Sequence, residues 1–99
     1  MVVDVISPTT TRPDEFPEHL WNGFKRYVLD GRPAGQFLQA LFAGDLFEVF
    51  RRGDEFSIAG LRPMVMYLHN ECPVGCYGTR RHVQEWMSKG GLNGLQKEG

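Results

Sequence analysis

Residues 69–86, HNECPVGCYGTRRHVQEW, gather two histidines, two cysteines and three glycine or proline breakers into one short stretch. His69, Cys72, Cys76 and His82 are the donor types of a tetrahedral zinc site. Their spacing argues against one: the cysteines form C-x3-C with Pro73 between them, and the chain has no second cysteine pair. A helical domain with its own core also needs no metal to fold, so neither a metal nor another cofactor is expected. A nucleophilic reading would set Cys76 against His69 or His82, because a nearby base or helix N-terminus stabilises a thiolate. No residue to orient the histidine is identifiable, and neither a catalytic Ser/His/Asp pattern, HExxH nor a P-loop occurs. The chain is therefore expected not to be an enzyme. Cys72 reads as a small buried hydrophobe ending a helix, Pro73 as the stop, and Gly75 and Gly78 as turn residues.

The basic run Thr79-Arg80-Arg81-His82 is harder to set aside. A helix start presents free N–H groups and a partial positive charge, so cations there are unfavourable unless an anion or acidic side chain offsets them. That makes the same end a candidate phosphate or carboxylate site. Arg32, followed by PAGQF, repeats the logic, with Gly35 allowing close backbone approach and Phe37 or Tyr77 offering a ring for stacking. The expected ligand or partner site is thus Arg32, Gly35, Phe37, Tyr77, Thr79, Arg80, Arg81 and His82. Against it stands the ordinary fate of surface arginine, which is solvation or pairing, here with Glu48, Glu71 or Glu85.

The elements that must position these residues read as helices. Pro17 suits a first helical turn, Leu20, Phe24, Tyr27 and Val28 fall on one face, and Gly31 is placed as the stop. Pro33 opens a second helix with Phe37, Leu38, Leu41 and Phe42 on its apolar side, ended by Gly44, and Asp45 caps a short third, LFEVFRRG. A fourth begins near Asp54 or Ser57, places Ile58, Leu61, Val65 and Leu68 on one stripe, and should be kinked or shortened at Pro63. Thr79 caps a fifth, with Val83, Trp86 and Met87 inward and Gly90-Gly91 as its end. Trp21, Met64 and Met66 lie off or at the edge of these stripes, where they complete a core or form a docking patch. The fold class expected is all-α: a compact bundle of about five short helices with a flexible or strand-like N-terminal segment. Residues 1–15 read as an N-terminal extension or linker in which Val2, Val3, Val5 and Ile6 make a brief strand, 16–91 as a single helical domain, and 92–99 as a flexible tail.

Composition bounds the function. A chain of 99 residues that is 41% hydrophobic has one modest core, to which self-association would add stability, so a homo-oligomer, most simply a twofold dimer, is expected. The formal net charge of -1 supplies no one-sign field, and the doublets Lys25-Arg26, Arg51-Arg52 and Arg80-Arg81 make no continuous stripe, so nucleic acid is not expected as the main partner. No apolar run is long enough to span a bilayer and the N-terminus lacks a signal pattern, which predicts a cytoplasmic protein without a membrane partner.

Three elements together, Pro33-x-Gly35-x-Phe37-Leu38, Asp45-Leu46, and Asn70-x-x-Pro73-x-Gly75-Cys76-Tyr77-Gly78, resemble a family of small, largely uncharacterised helical proteins encoded by phages and prophages. The resemblance covers about residues 16–92. Members of that family tend to carry an apolar residue at the position of Cys72 and Ser-Pro-Glu where this chain has Thr79-Arg80-Arg81. The resemblance implies an accessory protein of the bacterial host cytoplasm that binds and blocks rather than turns over a substrate. Combined with the helix-start arginines, it implies a host-defence antagonist that sequesters a phosphate-bearing signalling nucleotide as a homo-oligomer. The alternative is a protein-binding inhibitor of a host defence complex such as a CRISPR effector, using an exposed aromatic and Met patch; a small nucleic-acid-binding regulator comes third.

Overall fold

The computed structural model describes Ile6, Ser7 and residues 9–98. Pro17 leads into α1 (Glu18–Asp30), whose inner face is Trp21, Phe24, Tyr27 and Val28, and Gly31 ends it in the left-handed conformation at φ 69°. There the Gly31 N–H donates to Tyr27 O and the Arg32 N–H to Arg26 O, closing the last turn. α2 (Gln36–Ala43) begins three residues after Pro33, with Gly35 at its N-cap, and stops at Gly44, φ 70°. Asp45 then caps α3 (Leu46–Arg52), its carboxylate accepting the Glu48 N–H.

The fourth segment differs from the single kinked helix expected. It is two helices, α4 (Glu55–Ala59) capped by Asp54 and α5 (Leu61–Glu71), separated at Gly60. The break is at glycine because the ring of Pro17 lies against it: a Cβ on Gly60 would come within 2.7 Å of Pro17 Cδ and closer still to Cγ. Pro63 does no damage, since it falls in the first turn of α5, where backbone N–H groups have no intrahelical acceptor. A 3-10 turn (Val74–Cys76) follows, then α6 (Arg80–Lys89), capped by Thr79 through the His82 N–H, and α7 (Gly91–Glu98).

The described residues thus form seven α-helices and one 3-10 turn rather than about five helices. Two terminal expectations change with them. The 92–99 segment expected as a flexible tail is helical through Glu98, because Gly90 and Gly91 both take positive φ and turn the chain back beside α1. Leu92 packs on the core there, and Asn93 donates to Asp30 at 2.9 Å. Val2, Val3 and Val5 lie outside the described residues. Ile6, however, is fully buried, and the Lys25 ammonium donates to Thr10 O, so this part of the 1–15 linker docks on the domain. One guanidinium holds its end: Arg12 donates to the carbonyls of Pro13, Asp14 and Phe16.

The core is aromatic. Phe16 meets Trp21 and Phe24 edge-on, each with ring centroids 4.9 Å apart, and Tyr27 stacks on Phe42 at 4.0 Å. Met64 and Trp21, off the stripes in the sequence, are both buried. The core thereby takes the Met64–Leu68 side of α5, and Val65 and Met66 stay exposed.

Candidate functional site

The opening stretch is structural at its centre. Tyr27 donates from its hydroxyl to Cys76 O at 2.7 Å, and the Gly78 N–H donates to Phe42 O at 2.8 Å, so the 3-10 turn is tied to α1 and α2 from beneath. Burial, with the nearby Cys76, pushes the Tyr27 phenol above its ordinary range. Cys72 and Cys76 are free, buried thiols, and a hydrogen bond to Cys76 followed by burial drives the Cys72 thiol up, against thiolate formation. His69 and His82 are exposed. Among the described residues no three His, Cys, Asp or Glu side chains form a group suited to a metal ion. Both thiols should therefore resist 5,5'-dithiobis(2-nitrobenzoate) in native buffer and react together on unfolding. Prompt labelling of either in the native protein would show an accessible thiolate instead.

The eight expected site residues are dispersed. Arg80 forms an ion pair with Asp45 at 2.9 Å, and Arg81 with Glu85 at 3.1 Å. Thr79 is occupied as the cap of α6, its hydroxyl also 2.8 Å from His82 Nδ1. Phe37 is half-buried beneath Gly53, where an added Cβ would lie 2.7 Å from its ring, so its face is not offered for stacking. Gly35 has open space around it and Arg32 is exposed. A polar hollow of about 200 Å³, lined by Gln36, Gln39, Glu48, Arg52 and Arg80, takes in only one of the eight. Its charges are already matched: Arg52 donates to Gln36 and Glu48, and Glu48 also accepts from Arg51 at 2.9 Å. The two guanidinium hydrogen bonds hold the Glu48 carboxyl down to about 2.

Sequence reasoning passed over one polar cluster. His19 Nε2 lies 3.1 Å from Ser57 Oγ, and Asp54 accepts the Ser57 N–H at 2.7 Å. Hydrogen bonds from the Ser57 backbone and hydroxyl hold the Asp54 carboxyl below its usual value. The carboxylate engages the serine rather than the histidine, and Ser57 is only 4% exposed, so the group pins α4 to α1 instead of presenting a nucleophile.

Tyr77, the remaining expected residue, points to the feature that does stand open. It lines an apolar groove of about 350 Å³ with Leu41, Gly44, Leu46, Val49, Leu61, Val65, Met66, Leu68 and His69. Its lining comes mainly from α3 and α5, with Leu41 of α2 also contributing. Two more apolar side chains of α3 stand exposed, Phe47 at 84% and Phe50 at 52%. The signal was present in the sequence: LFEVF puts four large apolar residues on a seven-residue helix, of which only Val49 is buried. Of the expected Leu61, Val65, Leu68 stripe, Leu68 is buried and Leu61 packs against the core while Val65 is exposed, and all three reach the groove lining. Comparison with known proteins finds no matching family model, no matching curated protein and no matching solved structure.

Proposed function

We propose that the chain is a small binding protein that antagonises a host defence complex by docking on one of its proteins through the α3/α5 groove. The observation that carries this is the groove, lined by the exposed Leu46, Val65 and Met66, together with the exposed Phe47 and Phe50 on the same helix α3, apolar surface of the kind that marks protein contact sites. The phage-type setting and the bacterial cytoplasm come from the sequence resemblance. Sequestration of a phosphate-bearing nucleotide has less support: Arg80 and Arg81 already face carboxylates. No buried side-chain nitrogen or oxygen among the described residues lacks a partner that a ligand would satisfy.

The two readings separate in an infection assay, in which the protein is expressed in bacteria carrying individual defence systems and phage plating is scored. Phe47→Ser with Val65→Asp should abolish restoration of plating, since it makes the apolar rim polar at exposed positions. Arg80→Ala with Arg81→Ala should leave it intact, and should change stability by no more than about 1 kcal/mol because both ion pairs are exposed. The reverse pattern would establish the anion-binding reading in its place.

A further inference from the structure

We propose that the occupant of the groove is an amphipathic helix of the partner protein, carrying carboxylates beside its apolar anchors; this inference rests on the docking function above and names its ligand. The shape favours a helix. On α5 the lining residues Leu61, Val65, Leu68 and His69 follow helical spacing, and this row is roughly 12 Å long at 1.5 Å per residue, which matches two to three turns of a partner helix. A helix also satisfies its own backbone hydrogen bonds, whereas an extended peptide would need a sheet edge, and no strand occurs among the described residues.

The charge around the groove selects an acidic partner, although the chain as a whole is formally -1. Arg62 lies four residues before Met66 on α5, is exposed, and makes no ion pair among the described residues. On α3 the charged residues Glu48, Arg51 and Arg52 pair with one another, and none of them lines the groove. Asp45, next to Leu46 in the lining, is taken by Arg80. The groove lining holds no carboxylate, and its one titratable group besides Tyr77 is His69. Glu71 lies seven residues beyond Met64, on the side of α5 turned from the groove. A second copy of this chain fits less well: a twofold interface sets the same patch against itself, so one net-positive rim would meet another.

The test uses two fluorescein-labelled synthetic helices of about 18 residues, with leucine at i, i+3, i+4 and i+7 and flanks of either glutamate or lysine, read by anisotropy against the full chain. The glutamate peptide should bind at least ~10-fold more tightly at low salt, with the preference shrinking as salt screens it. Arg62→Glu should erase or invert the preference, and Val65→Asp should remove binding of both peptides. Both positions are exposed, and unchanged circular dichroism would confirm that the variants fold. Equal binding of the two peptides would overturn the acidic-helix inference while leaving groove docking in place. Binding of neither would overturn the inference, and the infection assay would then decide docking by itself. A dimer of the free protein that Val65→Asp dissociates would make a second copy the occupant and overturn it as well.

Discussion

Trp86→Ala should cost about 3 to 5 kcal/mol of folding free energy, the range for removing a large aromatic from a packed core. Trp86 is 3% exposed, and Gly75 sits on its ring at a distance that would bring an added Cβ to 3.7 Å. Its indole N–H donates to Tyr27 O and Val28 O at 3.0 and 3.1 Å, where α1 approaches its end. The truncation would thus remove an anchor shared by α1, α6 and the 3-10 turn, leave a cavity, and strip a donor from two carbonyls. Urea unfolding followed by circular dichroism measures the loss. A change below about 1 kcal/mol would mean that the ring is not packed as described. Trp86 is not among the residues that line the groove, so any variant protein still folded should keep its peptide preference.

Gly31→Ala should destabilise by about 3 kcal/mol, from two additive causes. Its φ of 69° is left-handed, which costs an alanine about 1 to 2 kcal/mol. The new methyl would also stand 2.7 Å from Gly91 N and 3.0 Å from both Gly90 C and Trp86 O, all backbone atoms that cannot swing aside, and overpacking of this kind costs a further 1 to 3 kcal/mol, roughly. A stiffer unfolded chain returns only about 0.4 to 1 kcal/mol. Gly35→Ala is the control. It has ordinary φ at -64° and no atom within 4 Å of an added Cβ, so it should be close to neutral by the same urea measurement. Equal midpoints for the two variants would refute the close backbone approach between the end of α1 and the start of α7.

If Gly31 is critical, the C-terminal segment is part of the fold, and this is a point that local sequence could not decide. LNGLQKEG has two glycines and little apolar content, which reads as a frayed end because an isolated eight-residue helix is not stable in water. What stabilises α7 is tertiary: a backbone contact that only glycine permits on both sides, and a place for Leu92 on the core. Local chemistry did determine the all-α class, the stops at Gly31, Gly44 and Gly90, and the caps at Asp45 and Thr79, since each depends on one residue's conformational range or its bond to a neighbouring N–H, while it left the start of α4 open between Asp54 and Ser57. It also showed that Leu61, Val65 and Leu68 share one side of a helix. Which side of that helix the bundle covers was decided in three dimensions: Tyr67 meets Phe16, Trp21 and Phe24 edge-on, Met64 and Leu68 are buried, and Val65 is left open. The arginines follow the same division. Composition and helix starts showed that Arg80 and Arg81 needed anions nearby, but only the packing of α6 beside α2 brings Asp45, 35 residues away in sequence, to Arg80. Periodicity along one helix contains no information about where its neighbours end, and the groove, a gap between two helices, exists only once they are placed.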